Sequence, residues 1–94
     1  MTSLLDIPGD AHNIMRVAGA LDAQTRRITS GEVARSAGLA VGPTSRILSA
    51  MLALGYTTVQ EDASDRRRRV YAITPEGRDK FQDEMAKLTP EAAR

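Results

Sequence analysis

Gly38-Leu39-Ala40-Val41-Gly42-Pro43-Thr44-Ser45-Arg46-Ile47-Leu48-Ser49-Ala50-Met51-Leu52-Ala53-Leu54-Gly55 reads as a turn, a short helix and a glycine stop. Gly38 suits the residue just after a helix, where a left-handed backbone is needed. Pro43 is tolerated only in a first helical turn, where its missing N–H would be unpaired anyway. The helix therefore starts near Val41, with Ala40 a poor cap because it lacks a side-chain oxygen. Thr44, Ile47, Leu48 and Met51 fall on one face, and Gly42, Ser45, Arg46 and Ser49 on the opposite one. Beyond Gly55, residues 56–60 read as a strand, residues 61–68 as a polar loop, and residues 69–73 as a returning strand. Four consecutive arginines, Arg66 to Arg69, close that loop. A helix that can enter a groove, followed by a basic hairpin, makes nucleic acid the first partner to test.

The flanks complete the pattern. After Pro8-Gly9, Asp10 is placed to cap a first helix, on which Ile14, Val17, Ala18 and Leu21 recur at amphipathic spacing until about Ala23. Arg27-Ile28-Thr29 is short and β-branched, a candidate strand bridge. Thr29 and Glu32 have the spacing of a capping box, so a second helix is expected from Ser30 to Ala37, with Val33, Ala34 and Ala37 inward. Thr74-Pro75-Glu76 gives a cap, a first-turn proline and a first-turn acid. It opens a final helix lined by Phe81, Met85 and Leu88 that ends before Pro90. The fold class is α+β, mostly α: a winged helix-turn-helix with three core helices, a two-stranded wing and a C-terminal helix. A single domain over residues 1–94 is expected, its core about 10–74 and its last helix about 75–88.

Composition narrows the function. The chain has 94 residues, a net charge of +1 and no cysteine, so neither disulfides nor thiolate metal sites are available. No apolar run approaches the length that spans a bilayer, and the N-terminus lacks a signal-peptide pattern, so a cytoplasmic, nucleoid-associated protein with no membrane partner is expected. Divided along the chain, the charge is −2 over residues 1–25, +4 over 26–74 and −1 over 75–94. Positive charge thus gathers where a groove-binding motif would sit, and local phosphate neutralisation is what sets nucleic-acid affinity. The lone His12 has no nucleophile or acid partner, one histidine cannot build a zinc site, and the glycine motifs that cradle phosphates are absent. No enzyme, no cofactor and no metal site are expected.

The candidate DNA contacts follow from this layout. On the helix from Val41 they are Gly42, Thr44, Ser45, Arg46 and Ser49, with Arg46 reading bases or holding phosphate and the serines touching phosphate or water. On the wing they are Arg66, Arg67 and Arg68, oriented by Asp62 and Asp65. Four adjacent arginines on a strand edge alternate sides, so Arg66 and Arg68 are expected to point one way and Arg67 and Arg69 the other. Thr29 and Ser30, at a helix start, are candidate phosphate contacts, and Arg26, Arg27 and Arg35 weaker ones. From Ile47 to Leu54 the helix is apolar almost all round, so a cover is expected from Leu4, Leu5 and Ile7 or from another subunit. Leu4, Leu5, Leu52, Phe81, Met85 and Leu88 are the candidate packing or dimer residues.

The wing segment Asp62-Ala63-Ser64-Asp65-Arg66-Arg67, the exit Ile73-Thr74-Pro75-Glu76-Gly77-Arg78 and the Gly38-to-Gly55 interval resemble the MarR family of winged-helix transcription regulators. PadR- and ArsR-type regulators share much of the pattern. The likeness covers about residues 27–80 and implies a homodimer on a palindromic operator, each recognition helix in a major groove and each wing beside it. By position, Ser45, Arg46 and Ser49 fall on the recognition helix and Asp65, Arg66 and Arg67 in the wing. Typical members carry longer terminal helices that make the dimer and shape an effector pocket, so a small-molecule effector is doubtful here. The leading expectation is a sequence-specific double-stranded DNA-binding regulator, a homodimeric repressor. The alternatives are a winged-helix protein–protein interaction module and a phage, plasmid or nucleoid DNA-binding protein without effector sensing.

Overall fold

The computed structural model describes residues 3–88, without the side chain of Leu88; Pro90 lies outside the described residues. A 3-10 turn, Leu4–Asp6, precedes α1 (Ala11–Asp22), β1 (Ile28–Thr29), α2 (Ser30–Ala37), α3 (Val41–Ala53), β2 (Thr57–Glu61), β3 (Arg69–Ile73) and α4 (Pro75–Leu88). The strands form one antiparallel sheet in the order β1-β3-β2, with Ile28 opposite Tyr71, and Thr57 to Glu61 opposite Ile73 to Arg69. The sheet has three strands rather than the two of the wing alone, because the bridge at residues 28–29 pairs with β3.

Local chemistry explains the boundaries. Asp10 accepts a hydrogen bond from the His12 amide and caps α1. Both halves of the capping box form at α2: the Glu32 amide donates to Thr29 Oγ1 at 3.1 Å, and the Thr29 amide to Glu32 Oε1 at 3.0 Å. Gly38 (φ 70°) and Gly55 (φ 78°) take left-handed backbones after α2 and α3, which a side chain would resist. Ala40 gives α3 no side-chain cap. At the other junction, the Gly77 amide donates to Thr74 Oγ1, which itself donates to the Gly55 carbonyl.

The core is one cluster drawn from the N-terminal segment, α1, β1, α2, α3 and Tyr56, with Tyr71, Ile73 and Phe81 packed against it. Ile14, Val17, Leu21, Val33, Leu48 and Met51 are fully or almost fully buried in it. Leu4 is wholly buried as well, since the 3-10 turn lies against α1 and α4 rather than over α3. The tie is polar: Ser3 Oγ donates to Glu84 Oε1 at 2.7 Å, and Lys87 Nζ reaches the same oxygen at 3.2 Å. The Ser3 hydroxyl is the main reason the buried Glu84 carboxyl titrates below its ordinary value. Ile7 joins the core cluster that holds Ile47, Leu48 and Met51, but Leu52 and Leu54 stay 40% and 37% exposed, so this segment covers α3 only in part. The burial of Leu4 and the Ser3–Glu84 bond hold the start of the segment against α1 and α4.

Among the remaining packing candidates, Phe81 is half-buried against the core, while Leu5 and Met85 are largely exposed. Among the described side chains of α4, Gly77 and Glu84 are the buried positions.

Candidate nucleic-acid interface

Helix α3 presents Gly42, Arg46 and Ser49 to solvent and leaves Ser45 half-buried. Thr44 is not a surface contact. It is fully buried with Ile47, Leu48 and Met51, and its hydroxyl donates to the Ala40 carbonyl at 2.9 Å. A threonine one turn into a helix satisfies its hydroxyl this way and leaves its methyl for the core. Arg46 lines a groove of about 380 Å³ with Pro8, Gly9, Asp10, Asn13 and Pro43, over Ile47 and Ala50. It makes no ion pair among the described residues.

The hairpin between β2 and β3 is built by its aspartates. Asp62 Oδ1 accepts from the Ser64 amide and hydroxyl, both at 3.1 Å, and Asp65 Oδ1 accepts from the Arg67 amide at 3.0 Å. Backbone bonds from Asp62 to Arg68 and from Arg68 to Asp65 close the loop. The same carboxylates lie near guanidinium groups, Asp65 with Arg67 at 3.5 Å and Asp62 with Arg68 at 3.8 Å. The Ser64 bonds, with Arg68 contributing less, hold the Asp62 carboxyl below its ordinary pKa.

Here the expected two-sided alternation of the arginines fails. Arg66 and Arg67 occupy a turn, and only Arg69 belongs to a strand, because the aspartate-capped turn ends strand geometry before it reaches them. All four are exposed. Arg66 and Arg69 have no ion pair among the described residues.

A groove of about 370 Å³ joins the wing to the start of α2: Thr29, Ser30, Arg67, Arg68, Arg69 and Tyr71 line it. Thr29 is less available than its position suggests, because its amide and its hydroxyl oxygen are both engaged by Glu32. Those bonds, the Thr29 amide first and then Arg26, push the Glu32 pKa down to about 2. Ser30 makes no side-chain hydrogen bond among the described residues. Of the weaker candidates, Arg26 pairs with Glu32 at 3.0 Å, Arg27 donates to the Thr58 carbonyl at 3.3 Å, and Arg35 is exposed and has no ion pair among the described residues. Tyr71 is not among the residues the sequence singles out, although it lies two residues from Arg69 and so shares its strand face.

Thus Thr29, Ser30, Arg67, Arg68 and Arg69 come together in one groove; Arg66 lies outside it, beside Gln60 and Glu61, and Arg46 lines another groove, beside the N-terminal end of α1. Among the described residues no cluster of His, Asp and Glu could hold a metal ion, and no helix is long and apolar enough to cross a membrane.

Residues 19–90 match the family model described as a winged helix DNA-binding domain. The chain belongs to that family. A comparison with curated protein sequences finds no match. Solved structures share the fold of this winged helix domain. BpsR of Bordetella bronchiseptica, whose DNA binding is regulated by 6-hydroxynicotinic acid, superposes with a TM-score of 0.76 at 20% identity, over 93% of this chain and 62% of that one. The YusO protein of Bacillus subtilis gives 0.79 at 16% identity, over 97% and 63%. Wild-type apo MarR of E. coli gives 0.68 at 19% identity, over 94% and 70%. The architecture is thus that of the MarR-family regulators, and the chain spans less than two thirds of the length of the first two.

Proposed function

We propose that this winged helix domain is a sequence-specific, double-stranded DNA-binding transcription regulator that acts as a homodimer and represses by occluding its operator. The observation that carries the reading is the arginine-rich wing joined in one groove to the start of α2, with α3 offering Arg46 and Ser49 to solvent. In this reading α3 enters the major groove, where Arg46 contacts a guanine edge or a phosphate. Arg66, Arg67 and Arg68 lie along the phosphates or in the narrow minor groove. Ser30, Ser45 and Ser49 add phosphate or water-mediated bonds, and the exposed backbone at Gly42 permits close approach. Asp62 and Asp65 set the directions of Arg68 and Arg67.

Selection of genomic fragments by the purified protein, followed by a salt titration on the enriched site, tests this. Half-sites spaced by about one helical turn are expected for a two-fold dimer. Arg46→Ala should erode discrimination between sites. Arg66→Ala should weaken all sequences alike and reduce the salt slope by about 1 for each protomer. If neither substitution affects binding, these residue roles are wrong. A second reading, docking of another protein, draws on the exposure of Val41 (54%), Leu52 and Leu54. It predicts weak DNA binding without enrichment of any site.

A further inference from the structure

A second arginine cluster lies at the other end of the β1–β3 pair. Arg26, Arg27 and Arg78 border a groove of about 240 Å³ with Thr25, over Leu21 and Ile73. The three guanidinium groups come from the loop after α1, the approach to β1 and the start of α4. Each has a partner outside the groove lining: Arg26 pairs with Glu32 at 3.0 Å, Arg27 donates to the Thr58 carbonyl at 3.3 Å, and Arg78 Nε pairs with Asp22 at 2.7 Å. Among the described residues, no carboxylate lines the groove itself. Arg78 spends one N–H on Asp22, so its two terminal nitrogens remain for a planar, two-pronged contact of the kind phosphates favour. Two acids offset two of the three cations, which leaves one positive charge uncompensated around the groove.

The placement gives the cluster a use. Arg69 and Tyr71 border the wing groove, and Ala72 and Ile73 border this one, on the same strand. From Arg69 to Ile73 the strand rises about 13 Å, the axial rise of about four nucleotides of one DNA strand. β1 and its approach border both grooves as well, Thr29 the first and Arg27 the second. We infer that Arg26, Arg27 and Arg78 form a second phosphate station, which grips the backbone of the same DNA held at the wing and lengthens the footprint. The inference rests on the DNA-binding reading above.

The test uses the full chain and its selected duplex. Arg27→Gln removes a cation, and Thr25→Glu adds an anion at an exposed loop position; a thermal melt of each variant checks folding. Both should weaken binding. Arg27→Gln should flatten the plot of log affinity against log salt by about 0.9 for each phosphate no longer neutralised. Hydroxyl-radical footprints of both should shorten at equivalent positions of the two half-sites. If both variants keep the wild-type slope and footprint while Arg66→Ala flattens the slope, the second station is refuted and the DNA-binding reading stands. If the wild-type chain binds no duplex, both fall. If inorganic phosphate shifts the Arg27 and Arg78 Nε–H signals in NMR spectra while bound DNA leaves them unmoved, the groove serves a free oxyanion and the inference is overturned.

Discussion

Gly77→Ala should unfold this domain more readily than any other single methyl addition at its glycines. Gly77 sits in the first turn of α4 with its α-carbon pressed on the turn after α3. A β-carbon there would clash with the Tyr56 carbonyl oxygen, lie 2.9 Å from the carbonyl carbon and 3.0 Å from Ile73 Cγ1. The obstacle is backbone, so no rotamer change relieves it. That carbonyl is also fixed, because it accepts from the Thr74 amide at 3.0 Å while Thr74 Oγ1 donates to Gly55 at 2.8 Å. Relief requires α4 to move off the α3–β2 turn, at about 1–3 kcal/mol for overpacking and about 1 kcal/mol for each hydrogen bond broken. Alanine returns about 1 kcal/mol through helix propensity. A net loss of about 2–4 kcal/mol follows, or at least about 8 °C in Tm for a domain of this size. Urea and thermal denaturation measure it, with Gly42→Ala as the control, since nothing lies within 4 Å of a β-carbon there. An unchanged or raised Tm for Gly77→Ala would refute the close approach.

Other perturbations probe separate parts of the fold. Glu32 has a folded pKa of about 2 against an ordinary 4.5. The unfolded chain therefore takes up the proton first as pH falls, and the contribution of Glu32, complete above about pH 4.5, is lost between there and about pH 2. Urea midpoints against pH should fall more steeply for the wild type than for Glu32→Gln in that window; parallel curves would contradict the assignment. Thr29→Ala removes the cap of α2 and should cost about 1 kcal/mol, whereas Thr29→Ser should cost little, as read from urea midpoints. Leu4→Ala should cost about 2–5 kcal/mol if the 3-10 turn is part of the core; a loss under about 0.5 kcal/mol would mean that the segment is not docked.

Which features are legible in the sequence follows from the range of the physics. Elements announced by local chemistry appear where expected. Asp10 caps α1, the Thr29–Glu32 box starts α2, Gly38 and Gly55 stop their helices, and Thr74-Pro75 opens α4. Each signal acts across a few residues and needs no knowledge of the rest of the chain. The third strand is only half visible, because two residues become a strand by virtue of a distant partner, as Thr29 does opposite Val70. The role of Gly77 is hidden for the same reason. Its place in the wing exit is plain from the sequence, but the carbonyl it must admit belongs to Tyr56.

The site divides along the same line. That Arg66 to Arg69 form an exposed basic hairpin is readable, but their directions are not. Strand alternation is a rule for paired backbone, and Asp62 and Asp65 replace pairing with side-chain bonds to Ser64 and Arg67. Thr44 shows how an amphipathic helix can mislead at its margin: a residue polar enough to group with Ser45 still has a methyl, and one bond to Ala40 lets it enter the core. Helical spacing already places Thr44 on the inner face with Ile47, Leu48 and Met51, so naming it as a DNA contact runs against that periodicity. For Arg46 the sequence gives solvent exposure but not surroundings, which include Asp10 and Asn13. A guanidinium beside an acid in one groove and a cluster of arginines in another are different electrostatic environments.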